Sequence, residues 1–414
     1  MKSRDNPVMV RAAVVIASAV VITACGAPAD DVATDDGGTD TAQEMPHGYV
    51  EGAEETAEAQ SRLIVADEET GAVRVVDLIT EETVDVGRVD GVHGILGDGR
   101  FGYLAGDDSV HVVDSGSWMV DHGDHVHYYR AEARAVGPIT GSEPTNVSSD
   151  QVVAAVSFAD GTAELLDRAR LDEGTIDRHE PISRESHPAA AVAYREHLLV
   201  SAAEPGAGSA DGVEVRGRDG ALVSRIEEPC PDLLGQATTR RGVVFGCADG
   251  ALLVTEDGDV FEGEKIPYPG EVPADERAVE FHHRPLSTTL VSAAGDEGVW
   301  VLDITEREWR LLPTGPVVAV NAVGEGAPVL TLTDDGVLHA LDAVTGEETA
   351  RSALLPAESA AGEPAPVIQV DTTRAYVNDP PAGEIHEIDY GDDLRLARTF
   401  AVDGRADHMV ETGR

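Results

Sequence analysis

From Arg62 onward, apolar and polar residues alternate in short runs broken by Gly- and Asp-rich turns, and no 3.6-residue period is sustained. A period of two puts successive side chains on opposite faces of an extended segment, so the pattern predicts strands. One unit recurs: a strand, a Gly/Asp turn, then an alternating strand that usually closes on Asp. It reads RLIVADEETGAVRVVDL from residue 62, RFGYLAGDDSVHVVDS from 100 and QVVAAVSFADGTAELLDR from about 150. Further copies start near residues 196, 241, 288, 328 and 373, a period of roughly 44 residues. Each unit supplies two strands and leaves room for one before and one after. Four short antiparallel strands per repeat of this length predict an all-β chain, a β-propeller of eight four-stranded blades, or seven if one unit is degenerate. Nothing apolar precedes Arg62 to serve as its innermost strand, whereas residues 406–413 are left over at the other end. The C-terminal strand is therefore expected to join the first blade and close the ring, leaving no long free edge.

Upstream, the pattern changes. Lys2, Arg4 and Arg11 precede an apolar run from Ala12 to Ala24 that is too short to cross a bilayer but suits a secretion signal. The run ends in Ile22-Thr23-Ala24-Cys25, which resembles the lipobox of bacterial lipoproteins and implies cleavage before Cys25 and lipidation there. Residues 1–24 are read as a lipoprotein signal peptide, 25–60 as an acidic tether and 61–414 as the propeller. The expected location is the extracytoplasmic face of the cell membrane, held by the lipid anchor alone, and the expected state is a monomer. Acids outnumber bases by 77 to 30, a net charge of −47, while 42% of residues are hydrophobic. That composition supplies a core, attracts cations and excludes nucleic acid as a partner.

The histidines are where the chemistry concentrates. Aligning the segments before each unit sets His93, Asn146, His187, Leu234 and His408 in one column. Because propeller blades share one orientation, His93, His187 and His408 are expected to face a common axial funnel and to hold a metal there. A second cluster, Asp121-His122-Gly123-Asp124-His125-Val126-His127, puts His125 and His127 two apart, on one face of an extended strand. His122 supplies a third imidazole, with Asp124 or Asp121 as a carboxylate ligand or acceptor behind the ligands. Imidazole with carboxylate suits zinc, and also copper(II) or nickel. Cys230 and Cys247 are placed at neighbouring ends of antiparallel strands, which fits a disulfide, with a thiolate metal pair as the alternative. His282 and His283 lie within reach of the funnel, and His47 on the tether is a further candidate ligand. His111, His179, His197, His339 and His386 fall on outer strands or turns.

The run WMVDHGDHVHYYRAE, the opening HGYVEGAEE, the cysteine-bearing blade and the repeat together resemble AztD-type zinc metallochaperones. The resemblance extends from about residue 47 to the end and implies an exported propeller that binds Zn2+. It also implies delivery of that zinc to the solute-binding protein of a zinc ABC transporter. Its metal residues map onto His122, His125 and His127 and onto His93, His187 and His408. Asn146 and Leu234 stand where further histidines of the family are expected. The competing readings are a metal-dependent propeller hydrolase or lactonase and a cell-envelope interaction propeller. Neither a Gly-x-Ser-x-Gly elbow nor an HExxH pair occurs, so no enzyme is expected.

Overall fold

The period-two segments fold as strands, and the Asp that closes each unit has a definite task. In the computed structural model, which describes residues 49–414 except 123, 124, 142, 184–186, 189 and 205, the Asp77 carboxylate accepts from the backbone N–H groups of Ile79 and Thr80. Asp303 does the same for Thr305 and Glu306, and Asp342 for Val344 and Thr345. These Asx turns reverse the chain between the last two strands of a sheet. At the preceding turn Asp67 caps Thr70, and Gly71 takes φ +73°, where a Cβ would stand 2.5 Å from the Val89 carbonyl oxygen.

The strands form sheets that follow one another along the chain as antiparallel meanders. The first contains Arg62–Ala66, Ala72–Asp77 and Thr83–Arg88, and its innermost strand is His408–Thr412, paired Ala66 to His408 through Arg62 to Thr412. The C-terminal strand thus completes the first sheet. The second runs Gly94–Gly97, Phe101–Ala105, Ser109–Asp114 and Arg134–Thr140. Six more begin at Pro144, Ala191, Leu234, Thr289, Ala319 and Ile368. The sixth carries three strands. Where its innermost strand would lie, only His282 pairs with Val291, through reciprocal backbone hydrogen bonds of 2.8 and 3.0 Å. Pro285, three residues on, has no N–H to extend the pairing.

Both faces of each sheet are covered, because apolar residues alternate between two clusters. Ile64 and Val75 of the first sheet pack with Leu104 and Val113 of the second. Similar clusters join every consecutive pair, and Leu63, Val76 and Met409 of the first sheet pack with Tyr376, Ile385 and Phe400 of the last. This arrangement is all-β and consistent with a propeller. No helix among the described residues is long and apolar enough to cross a membrane. The signal peptide, Cys25 and His47 lie outside the described residues. The segment expected to be tether ends in a strand, Glu54–Thr56, so ordered pairing starts earlier than residue 61.

Candidate metal centre

The second sheet carries an insertion between its third and fourth strands. Ser117–Asp121 and Val126–Arg130 form a hairpin in register from Ser117–Arg130 to Asp121–Val126, and Glu54–Thr56 adds a third strand beside Val126–Arg130. The histidine run therefore returns to its own sheet instead of leading on to the third. At the tip the His122 N–H donates to the His125 carbonyl over 3.0 Å, which closes the turn. His127 is the second residue of the returning strand, opposite Val120.

This turn brings the three imidazoles together. His122 and His125 stack with ring centroids 4.9 Å apart, and His127 meets them edge-on at 5.2 and 4.9 Å. One ligand nitrogen from each lies within 4.8 Å of the other two. A tetrahedral zinc ion asks for nitrogens about 3.3 Å apart, a closure that side-chain rotation at an exposed hairpin tip supplies. His122 and His125 are exposed and His127 half-buried, so the cluster opens to solvent on one side. Asp124 lies outside the described residues.

His127 is also held from behind. Its Nδ1 lies 2.6 Å from Glu55 Oε1 on the added strand. With the Nδ1–H donated to that carboxylate, the Nε2 lone pair is left free for a cation, the usual arrangement behind a metal-binding histidine. Glu54 binds Arg130 through two contacts of 2.9 and 2.8 Å, which fixes the strand's register. Below the histidines Trp118 stacks on Tyr129 at 5.4 Å, and the Arg100 guanidinium sits 3.8 Å from the Trp118 ring centre. Burial, with the Glu55 charge adding to it, raises the Tyr129 phenol above its usual pKa, so it stays neutral.

Among the described residues the group of three His, Cys, Asp or Glu whose ligand atoms converge is the hairpin cluster. The expected axial residues are each placed as follows. Their common column hides different registers. His408 opens its strand and His93 stands one residue before one, but His187 precedes Ala191–Tyr194 by four residues. His187 is buried, with Nε2 3.2 Å from the Ser201 hydroxyl of the next strand. His93 is exposed and hydrogen-bonds the Gly91 carbonyl through Nδ1 at 3.0 Å. His408 Nε2 lies 3.6 Å from Glu68 Oε2. Burial depresses the His408 pKa and the nearby His93 adds to this, against the opposing pull of Glu68 and Asp407.

No protein-family profile matches the chain, and no curated protein matches it in sequence. Solved structures do. A crystal structure of AztD from Citrobacter koseri superposes with a TM-score of 0.73 at 22% identity, over 86% of this chain and 98% of that one. The apo form of the same protein gives 0.71 at 21% identity, with the same coverage. The chain has the AztD fold. Dihydro-heme d1 dehydrogenase NirN matches at a TM-score of 0.55 and 15% identity, over 86% of this chain and 76% of that one. A fold that AztD shares in part with a dehydrogenase does not decide chemistry, which has to be argued from the site.

On this AztD scaffold Cys230 and Cys247 form a disulfide with Cα atoms 5.0 Å apart, so the thiolate pair is set aside. Asn146 and Gln236, from the third and fifth sheets, hydrogen-bond to one another, so polar side chains of non-adjacent sheets do meet near the inner strands. Sequence reasoning missed Glu55. Its signal was present in the opening HGYVEGAEE, but an isolated acid in an acidic segment gives no hint of a histidine 72 positions away.

Proposed function

We propose that His122, His125 and His127 bind a zinc ion as cargo. On this reading the protein is an extracytoplasmic metallochaperone, not an enzyme, and hands zinc to the solute-binding protein of a zinc ABC transporter. The observation that carries the reading is the convergence of three imidazoles on an exposed hairpin tip. The AztD fold supports it. Neutral imidazoles suit zinc and bind it reversibly, since protons compete for the same lone pairs. Glu55 orients His127, while the turn hydrogen bond sets the spacing of His122 and His125. The open side leaves room for Asp124, water or a ligand from the receiving protein, and stepwise ligand exchange needs such a vacancy.

The remaining features fit the same picture. The sheet-to-sheet clusters return from the eighth sheet to the first, which supports a closed eight-bladed propeller. The disulfide fits an oxidising compartment. A lipid on Cys25 and the acidic segment after it would hold the domain off the membrane surface. The test is calorimetric titration of metal-free protein with zinc at neutral pH. One zinc per chain is expected at the hairpin, and the double substitution His125→Ala, His127→Ala should abolish it. Unchanged uptake by that variant would refute the assignment.

A further inference from the structure

Far along the chain from the histidine hairpin lies a cavity of about 310 Å³, bounded by the fourth and fifth sheets and by residues 274–279, which precede the sixth. Its size suits a small organic ligand. The walls are firmly set. Cys247 of the disulfide lines the cavity, the Ala278 N–H donates to the Tyr268 hydroxyl at 2.9 Å, and the Trp300 indole donates to the Glu276 carbonyl at 2.8 Å. Leu234 and Val279, 48% and 47% exposed, give the cavity an apolar stretch of wall open to solvent.

One charged group stands out. Arg277 lines the cavity, and its Nε–H is buried with no acceptor. Asp232, which also lines the cavity, pairs with its Nη1 at 3.5 Å and is more than half exposed. The other oxygen of that carboxylate already accepts from the Ser209 hydroxyl at 2.8 Å. Arg277 is held by this one long ion pair, and a carboxylate entering the cavity would offer its guanidinium a planar two-pronged hydrogen bond, a side-chain rotation bringing the buried Nε–H into reach. On a chain with a net charge of −47, such a group selects locally for an anion that the surface as a whole repels.

We propose that this cavity binds a small aliphatic carboxylate, free or at the end of a peptide. The carboxylate pairs with Arg277, and a branched tail fills the space between Leu233, Ala278, Leu234 and Val279. This site is separate from the zinc cluster and stands or falls independently of it. The probes are 4-methylpentanoate, the isosteric cation 3-methylbutylamine, and an acetylated Ala-Ala-Leu peptide ending in a free carboxylate or an amide. Binding to the full domain is read by ligand-observed saturation-transfer NMR and calorimetry.

The wild type should bind 4-methylpentanoate or the free-carboxylate peptide, and whichever binds identifies the source. The amine and the amide peptide should bind at least about tenfold more weakly. Arg277→Gln should lose about tenfold in affinity for the carboxylates while retaining zinc stoichiometry. Leu234→Ala, at the exposed mouth, should weaken 4-methylpentanoate more than acetate. The proposal is overturned if neither carboxylate probe binds the wild type, if the amine binds equally well, or if folded Arg277→Gln and Leu234→Ala both bind as tightly as the wild type.

Discussion

The three imidazoles of the hairpin are not held alike. His127 sits on a paired strand with its Nδ1 fixed by Glu55, whereas His122 and His125 occupy the turn, where one backbone hydrogen bond sets their spacing. Replacing Glu55 by Ala frees the His127 ring and its tautomer, and zinc affinity should fall by roughly 10–100-fold with stoichiometry unchanged. Competition with a chromophoric chelator measures this. A second residue-scale effect concerns stability. Burial holds the His283 pKa down to about 3, with Arg414, His282 and Arg284 pushing the same way and only Glu325 opposing. Its ring Nε2 is buried without a partner. The unfolded chain accepts a proton near pH 6.5 that the fold refuses, so His283 makes stability fall as pH drops from about 6.5 towards 3. Thermal melts over that range should show a shallower pH dependence for His283→Gln than for the wild type.

At the scale of elements, the hairpin is an appendage whose foot is clamped by the first and second sheets. Arg62 donates through Nη1 to the carbonyls of Ser115 and Ala131, at 2.6 and 2.9 Å, while its Nε binds Asp77 at 3.1 Å. The Ser117 hydroxyl bonds the Gln60 carbonyl, which ties the segment after Glu54–Thr56 to the same foot. Arg62→Ala leaves two carbonyls short of a donor, a loss on the order of 1–3 kcal/mol, and lets the hairpin hinge. Deuterium exchange should quicken across residues 117–130 and zinc affinity should fall, while exchange in the fifth sheet stays as in the wild type. The strands of the repeat were legible in the sequence because period-two alternation and the closing Asp act locally. The strand Glu54–Thr56 was not, since three polar residues carry no pattern and gain their conformation from Tyr128, Tyr129 and Arg130 far along the chain.

For the whole molecule, the pairing of Arg62–Ala66 with His408–Thr412 joins the two ends of the described chain. Met409 and Val410 are buried at 3% and 7% exposure, each in a different inter-sheet cluster. Deleting residues 406–414 removes a strand, bares the edge of the first sheet and opens both clusters. The expected outcome is a broad, less cooperative melt and soluble aggregates on size exclusion, because an unpaired edge recruits other chains. A deletion variant that remained monomeric with an unchanged melting temperature would show that the closing strand is dispensable.

The sequence by itself determined the all-β class, the repeat, the C-terminal strand's place in the first sheet and the His122–His127 cluster. Each of these rests on residues close in the chain or on a pattern repeated often enough to average out local noise. Tertiary structure alone decided that His187 turns to Ser201 and that the sixth sheet lacks a full innermost strand. It alone revealed that Glu55 stands behind His127 and that Arg277 lines a cavity with its Nε–H unpartnered. Those outcomes depend on register to within one residue and on contacts between distant segments. A shift of one position moves a side chain to the opposite face of its strand, and composition carries no trace of that shift.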